Sequence, residues 1–303
     1  MTANTILSDI NEIKVGYFLN GKNWYSAEAK MAFESRIKQA KPEEVADAIG
    51  KAEVMAVEFL KWAKANGYSE PVVGVWWTAR PGELARASKT DADSKKNPTD
   101  ILAKFSKGPG NGFLGLSAKA TKGNGDIGFK NPGVGTVDKS LNINLTAFYK
   151  KVEAEVVAKY KLPGTNAQRK PYIRAHPEIK VHTEAAGVKV LSDMRDLLLK
   201  RLETMQQKDR LTYLVQYWMD ADLLAPPYIK VTGNGSKPPY KASVMDPVSN
   251  PKLDALRSYP IKFEKVGNNA IGVAAGSKKI MKIRFKTESE KMASVIKLSG
   301  EPW

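Results

Sequence analysis

The spacing of apolar positions divides the chain into helical and extended stretches. Residues 26–66 read as helical. Pro42 with Glu43 and Glu44 opens a helix, because proline suits the first turn and acids suit the positive end of the dipole. Ile49, Ala56, Leu60 and Ala63 recur at helical spacing and form one apolar stripe, and Asn66-Gly67 supplies the stop. VVGVWW at 72–77 is β-branched and aromatic, as a strand should be. Residues 80–98 are polar and predict a long loop with at most one helical turn. Strands are expected at about 100–105 and 113–120, joined by the turn Gly108-Pro109-Gly110-Asn111-Gly112. A further extended stretch, DIGFKNPG, precedes a helix at 144–160, where Phe148, Val152, Val156 and Tyr160 lie four apart. The segment 161–184, rich in Pro, Arg and His, predicts a linker or long functional loop. Helices resume at 186–206 and 208–222, with Leu191, Met194, Leu198 and Leu202 in one stripe. From Pro226 the pattern becomes short strands separated by Gly, Asn and Pro turns. No internal repeat is visible. The expected organisation is an α/β core with N-terminal helices at 1–160, a Pro-rich basic loop and helical region at 161–222, and a β-rich C-terminal region at 223–303.

The hairpin carries the candidate chemistry. Residues on paired antiparallel strands meet when they lie equally far from the turn. Asp100 is ten residues before Gly110 and Lys119 nine after it, so the two fall within about one residue of opposition. A one-residue slip decides whether they share a face. A carboxylate beside an ammonium suits phosphodiester hydrolysis: the acid can bind Mg²⁺, and the ammonium can orient the attacking water and stabilise developing charge. A second acid should come from a neighbouring element. At about 100° per residue, Glu53 falls roughly 40° from Ile49, at the edge of the helix stripe. An acid there is paired, protonated or metal-bound, or it snorkels to solvent. Glu58 and Glu83 are the other acids left open.

Helix-borne Glu, strand, Pro98-Thr99-Asp100 at a strand start, hairpin, and Ser117-Ala118-Lys119 at a strand end together resemble the PD-(D/E)xK nuclease superfamily. The similarity spans about residues 44–160. It departs from the usual pattern by one inserted residue in the first motif and by Ser117 in place of an acid. The resemblance implies a restriction-endonuclease-like fold, a mixed central sheet flanked by helices, in the SxK form that recruits its replacement carboxylate from a helix. On that basis Asp100 and Glu53 would hold Mg²⁺ (or Mn²⁺), Lys119 would position water, and Ser117 would support the site. The implied activity is DNA endonuclease, of restriction or phage type, acting on double-stranded DNA as a homodimer in the cytoplasm.

Composition narrows the classes. The chain has 303 residues and no cysteine, so disulfides, thiolate metal sites and thiol nucleophiles are excluded. Net charge is +16, with 48 Lys+Arg against 32 Asp+Glu, a field that attracts polyanions. No apolar run is long enough to span a membrane, and the expectation is a soluble protein without a membrane partner. Lys122 and Lys130 lie among glycines whose N–H groups could approach phosphate. Arg80, after the Trp76-Trp77 pair, and Arg169, Lys170 and Arg174 are further candidate nucleic-acid contacts. No GxxxxGK[ST] is present, which gives nucleoside triphosphate binding no support. A non-catalytic nucleic-acid-binding or assembly protein on the same fold is the alternative reading.

Overall fold

The computed structural model describes residues 3–92, 97–122, 129, 131–219, 225–287 and 289–303. The chain divides into two compact units, Met1–Ile127 with Asp222–Asn250, and Gly128–Ala221 with Pro251–Trp303. The fold is mixed α/β. The expected boundary near 222 is where the chain returns to the first unit, whereas the expected one near 160 falls inside the second unit.

In the first unit, α1 (Ala3–Leu19), α2 (Ala27–Ile37) and α3 (Pro42–Ala65) precede β1 (Ser69–Trp77), α4 (Glu83–Ser88), β2 (Ile101–Lys107) and β3 (Phe113–Thr121). The chain returns to this unit as β4 (Tyr228–Asn234) and β5 (Lys241–Met245). The sheet order is β1-β2-β3-β4-β5, antiparallel except where β4 runs parallel to β3. A parallel neighbour requires a long crossover, here everything between 121 and 228. The β4 segment, read from sequence as part of a separate C-terminal region, therefore lies inside the core sheet. Every residue from Tyr228 to Gly233 is buried.

Helix α3 starts where its proline and acids predict, and Ala56 and Ala63 of the expected stripe are buried, but the centre of its packing face is turned toward Ala52, Met55 and Phe59. The buried positions are Ala48, Lys51, Ala52, Met55, Ala56, Phe59 and Ala63, while Ile49 and Leu60 are only half-buried. Alanines dominate this face because α1 and the sheet approach closely. Phe59 stacks at 6.2 Å on Phe105 of β2. Lys51, 2 % exposed, satisfies its charge on Asp47 at 2.8 Å. Residues 3–19, where the sequence predicted no element, form α1 and pack against α3 and three strands. Ile6 and Ile10 join one cluster with α3, whereas Val15 and Leu19 join the core under the sheet. The Lys14 ammonium sits over the rings of Tyr17, Phe18, Trp24 and Phe33, at 3.4 Å from the nearest centroid, so cation–π attraction ties the following loop to α1.

The second unit contains α5 (Val134–Leu141), α6 (Leu145–Tyr160), α7 (Asn166–Ala175), α8 (Pro177–Glu203) and α9 (Gln207–Tyr213), which runs into a π-helical stretch Leu214–Met219. After α10 (Pro251–Ser258), strands β6 (Ile261–Val266), β7 (Ala270–Ala275), β8 (Lys278–Thr287) and β9 (Ile296–Pro302) form a separate antiparallel sheet. Leu191, Met194, Leu198 and Leu202 are buried as their spacing predicts. The expected loop at 161–184 is instead helical. Thr165 caps α7 through Gln168, and Pro177 begins α8, where its missing N–H costs nothing. Prolines that suggested a loop thus include one that marks a helix start. No helix among the described residues is long and apolar enough to cross a membrane.

Candidate active site

The β2–β3 register decides what the hairpin brings together. Ile101 pairs with Leu116 and Lys104 with Phe113; one step beyond Ile101, Asp100 faces Ser117. The turn centre thus lies near Gly108-Pro109 rather than Gly110, and Lys119 sits one same-face step past Ser117. That diagonal is within reach of a lysine. Lys119 Nζ lies 3.4 Å from Asp100 Oδ2. The hairpin is tight because Gly112 has φ +77 and a Cβ there would meet the Phe105 carbonyl at 2.6 Å.

Asp100 also closes a gap in the backbone ladder. Strand β3 continues past the start of β2, and the Ala118 N–H that would be left over donates to Asp100 Oδ2 at 2.7 Å. Ser117 Oγ, fully buried, lies 3.4 Å from the same oxygen. On the other side, the Asp100 carbonyl accepts from Thr78 N–H at 3.0 Å, fixing the residue between β1 and β3. Ala118, between Ser117 and Lys119, packs into the core. Burial raises the Asp100 carboxyl above its usual range, although Lys119, the Ala118 N–H and Ser117 all pull it down.

The second acid is Glu12, on α1. Its Oε2 accepts from Trp77 Nε1 at 3.0 Å, and Trp77 pairs with Ile101, the neighbour of Asp100. Burial, then the Asp100 charge, lifts Glu12 from 4.5 to about 8, while the Trp77 bond and Lys119 lower it. Two carboxyls on different elements are thus both raised by burial at one end of the sheet, Glu12 also by the Asp100 charge, beside the Lys119 ammonium. Sequence reasoning missed Glu12 because it predicted no helix there. The available signal was the spacing of Glu12, Val15 and Leu19, which puts the acid on the helix stripe that meets the sheet.

Glu53 does not join this group. It faces solvent on α3, about half exposed, and binds Lys22 at 3.0 Å. The rotation of the α3 packing face to Ala52, Met55 and Phe59 turns position 53 outward. Glu58 likewise pairs with Lys61, and Glu83 with Arg86. Among the described residues no three His, Cys, Asp or Glu side chains gather as a metal cluster; the carboxylate pair Glu12–Asp100 is what the site offers.

The candidate nucleic-acid contacts separate. Arg80 is exposed just beyond β1 and reaches Glu28 at 3.3 Å. Lys122 is exposed after β3, and Lys130 lies outside the described residues. Arg169 is a correction. It is 5 % exposed within the second unit, bound to Glu153 at 3.0 Å and to the Met292 carbonyl at 2.9 Å, so it holds α7 in place instead of facing a ligand. Lys170 is half-buried on the same helix, and Arg174 is tied to Glu290 at 2.7 Å.

Strand β4 adds polar groups beside the hairpin. Lys230, buried, pairs alongside Ser117, and Thr232 alongside Lys119. Thr232 Oγ1 is buried with no hydrogen-bond partner among the described residues. Chemically, the arrangement offers two oxygen-donor acids, the ammonium groups of Lys119 and Lys230, and the Thr232 hydroxyl at a single sheet end. No protein-family model matches the chain, and no curated protein matches it.

Proposed function

We propose that the chain is a metal-dependent nuclease of the PD-(D/E)xK type that hydrolyses phosphodiester bonds in DNA. The observation that carries this reading is the convergence of Glu12, Asp100 and Lys119 from α1, β2 and β3. The mixed central sheet with helices packed on it supports the restriction-endonuclease-like assignment, and the excess of basic side chains suits a polyanionic substrate.

The donor set fits a hard divalent cation. Two carboxyls raised by burial, Glu12 also by the Asp100 charge, are relieved by a 2+ charge that prefers oxygen ligands. Glu12 and Asp100 are the residues that would hold Mg²⁺, or Mn²⁺ in its place. When bound, the ion supplies polarisation of the scissile phosphate and a lowered pKa for the attacking water. The rest falls to the chain. Asp100, anchored by the Ala118 N–H, keeps Lys119 in place. Lys119 orients the water and stabilises the charge that builds on the phosphate oxygens. Trp77 holds Glu12 toward the site and shields it from bulk water. Ser117 occupies the position of the usual motif acid and supports Asp100, so the helix acid takes over the missing role. One site cuts one strand, and cleavage of both strands calls for two copies.

The test uses supercoiled plasmid, linear duplex and single-stranded DNA with Mg²⁺ or Mn²⁺. Wild type should cut at least one of them. Asp100→Ala and Lys119→Ala should each lower the rate by about 10²-fold or more. Intact DNA under every condition would leave the non-catalytic binding reading, which the serine at position 117 favours.

A further inference from the structure

A cavity of about 270 Å³ opens along the outer edge of β1 and against the start of α2. Trp77, the residue that holds Glu12, forms part of its wall, so one side chain is shared with the proposed site. Trp76 supplies a fixed aromatic surface. Its ring folds back over Gly74, where a Cβ would meet it at 2.5 Å, and rests against Phe113 at 6.1 Å. Tyr25 lines the same space, and its Oη is buried with no hydrogen-bond partner among the described residues. Two opposite-charge pairs complete the lining, Arg80 with Glu28 and Arg86 with Glu83. β1 is the edge strand, so one row of its backbone donors and acceptors is not used by the sheet.

This chemistry selects among ligands. A phosphate group needs unanswered positive charge, and here each arginine already faces a glutamate. A nucleobase needs aromatic surface together with both donors and acceptors around its edge. The cavity provides Trp76 and Tyr25 as surface, with guanidinium and carboxylate groups at the margin. Its volume lies just below the range for small-molecule pockets, room for one ring system and not for a nucleotide chain.

We infer that this cavity receives a single unpaired base of the strand lying beside the Glu12–Asp100 site, so that the preferred substrate is DNA with an unpaired nucleotide next to the cut. The inference rests on the nuclease reading but is tested apart from it, by binding without metal. In EDTA, fluorescence polarisation compares three labelled DNAs: a fully paired duplex, the same duplex with one unpaired nucleotide, and that duplex with an abasic residue at the unpaired position. Wild type should bind the unpaired base about tenfold more tightly than the abasic form. The double variant Arg80→Ala/Arg86→Ala alters only exposed side chains and should fold as wild type by circular dichroism. It should lose most of that difference, and Trp76→Ala should lose it as well. Asp100→Ala should keep it, because the cavity does not use Asp100. Equal binding of the unpaired and abasic duplexes by wild type overturns the inference, as does a preference that survives in both cavity variants. Competition by inorganic phosphate at the same site also overturns it, since it would show a phosphate pocket. A wild type that cuts no DNA yet keeps the base preference removes the nuclease reading and leaves the cavity assignment standing.

Discussion

At the scale of single residues, the protonation of Glu12 makes a sharp prediction. Its carboxyl is lifted from 4.5 to about 8 by burial and by Asp100. The folded state therefore holds a proton that the unfolded chain has released over that interval. Stability falls as pH rises from about 4.5 toward 8, since the native state binds more protons there. In urea titrations without metal, wild type should be more stable at pH 5.5 than at pH 8.5, and Glu12→Gln should flatten that slope. Added Mg²⁺ should raise stability most at the alkaline end, where both acids are ionised. An identical pH slope in Glu12→Gln would show that the acid is not held in this environment. Lys119 was legible because its distance from the turn made it a near neighbour of Asp100. The register still came out shifted, with Ser117 as the facing residue, because the Gly112 and Gly108 conformations move the turn centre.

At the scale of elements, α3 and the hairpin position the site by packing. Phe59 is fully buried against Phe105 and Tyr68 neighbours the same ring. Phe59→Ala should cost about 3–5 kcal/mol, measured by chemical unfolding, as a core cavity does. Gly115 in β3 has no room for a side chain, since a Cβ would meet Thr99 Oγ1 at 2.1 Å and Tyr228 Cβ at 2.9 Å. Gly115→Ala should cost about 1–3 kcal/mol from overpacking. It should also lower cleavage, because Thr99 must shift and Asp100 follows it. Unchanged stability would mean the 97–100 segment does not press on the sheet. The existence of α3, β1, β2 and β3 was readable from periodicity and turn residues. The face of α3 was legible only in part. Alanine gives little contrast in a hydrophobic pattern, and the expected stripe caught Ala56 and Ala63 but took Ile49 and Leu60 in place of Ala52, Met55 and Phe59. Helix α1 was hidden for a related reason. It buries Ile6 and Ile10 on one side and Val15 and Leu19 on another, so it lacks a single polar face.

At the scale of the whole molecule, β4 shows the limit of sequence reading. YIKVTGN reads as a strand, but pairing with β3 across more than a hundred residues is a tertiary choice with no local signature. The two units interleave along the chain, so the composition shift near 222 marks a boundary while the one near 160 does not. Net charge was directly legible and has its own consequence. DNA binding should weaken steeply with salt, with a log–log slope of about −0.9 for each phosphate contacted in duplex DNA. A flat salt dependence would remove polyanion binding as the role of the basic surface. The central claim is that Glu12, and not Glu53, is the acid that completes the site with Asp100. Plasmid nicking in Mg²⁺ by wild type, Glu12→Ala and Glu53→Ala tests it most directly. The account predicts a loss of about 10²-fold or more for Glu12→Ala and wild-type rates for Glu53→Ala; the reverse pattern, or full activity in Glu12→Ala, would contradict it.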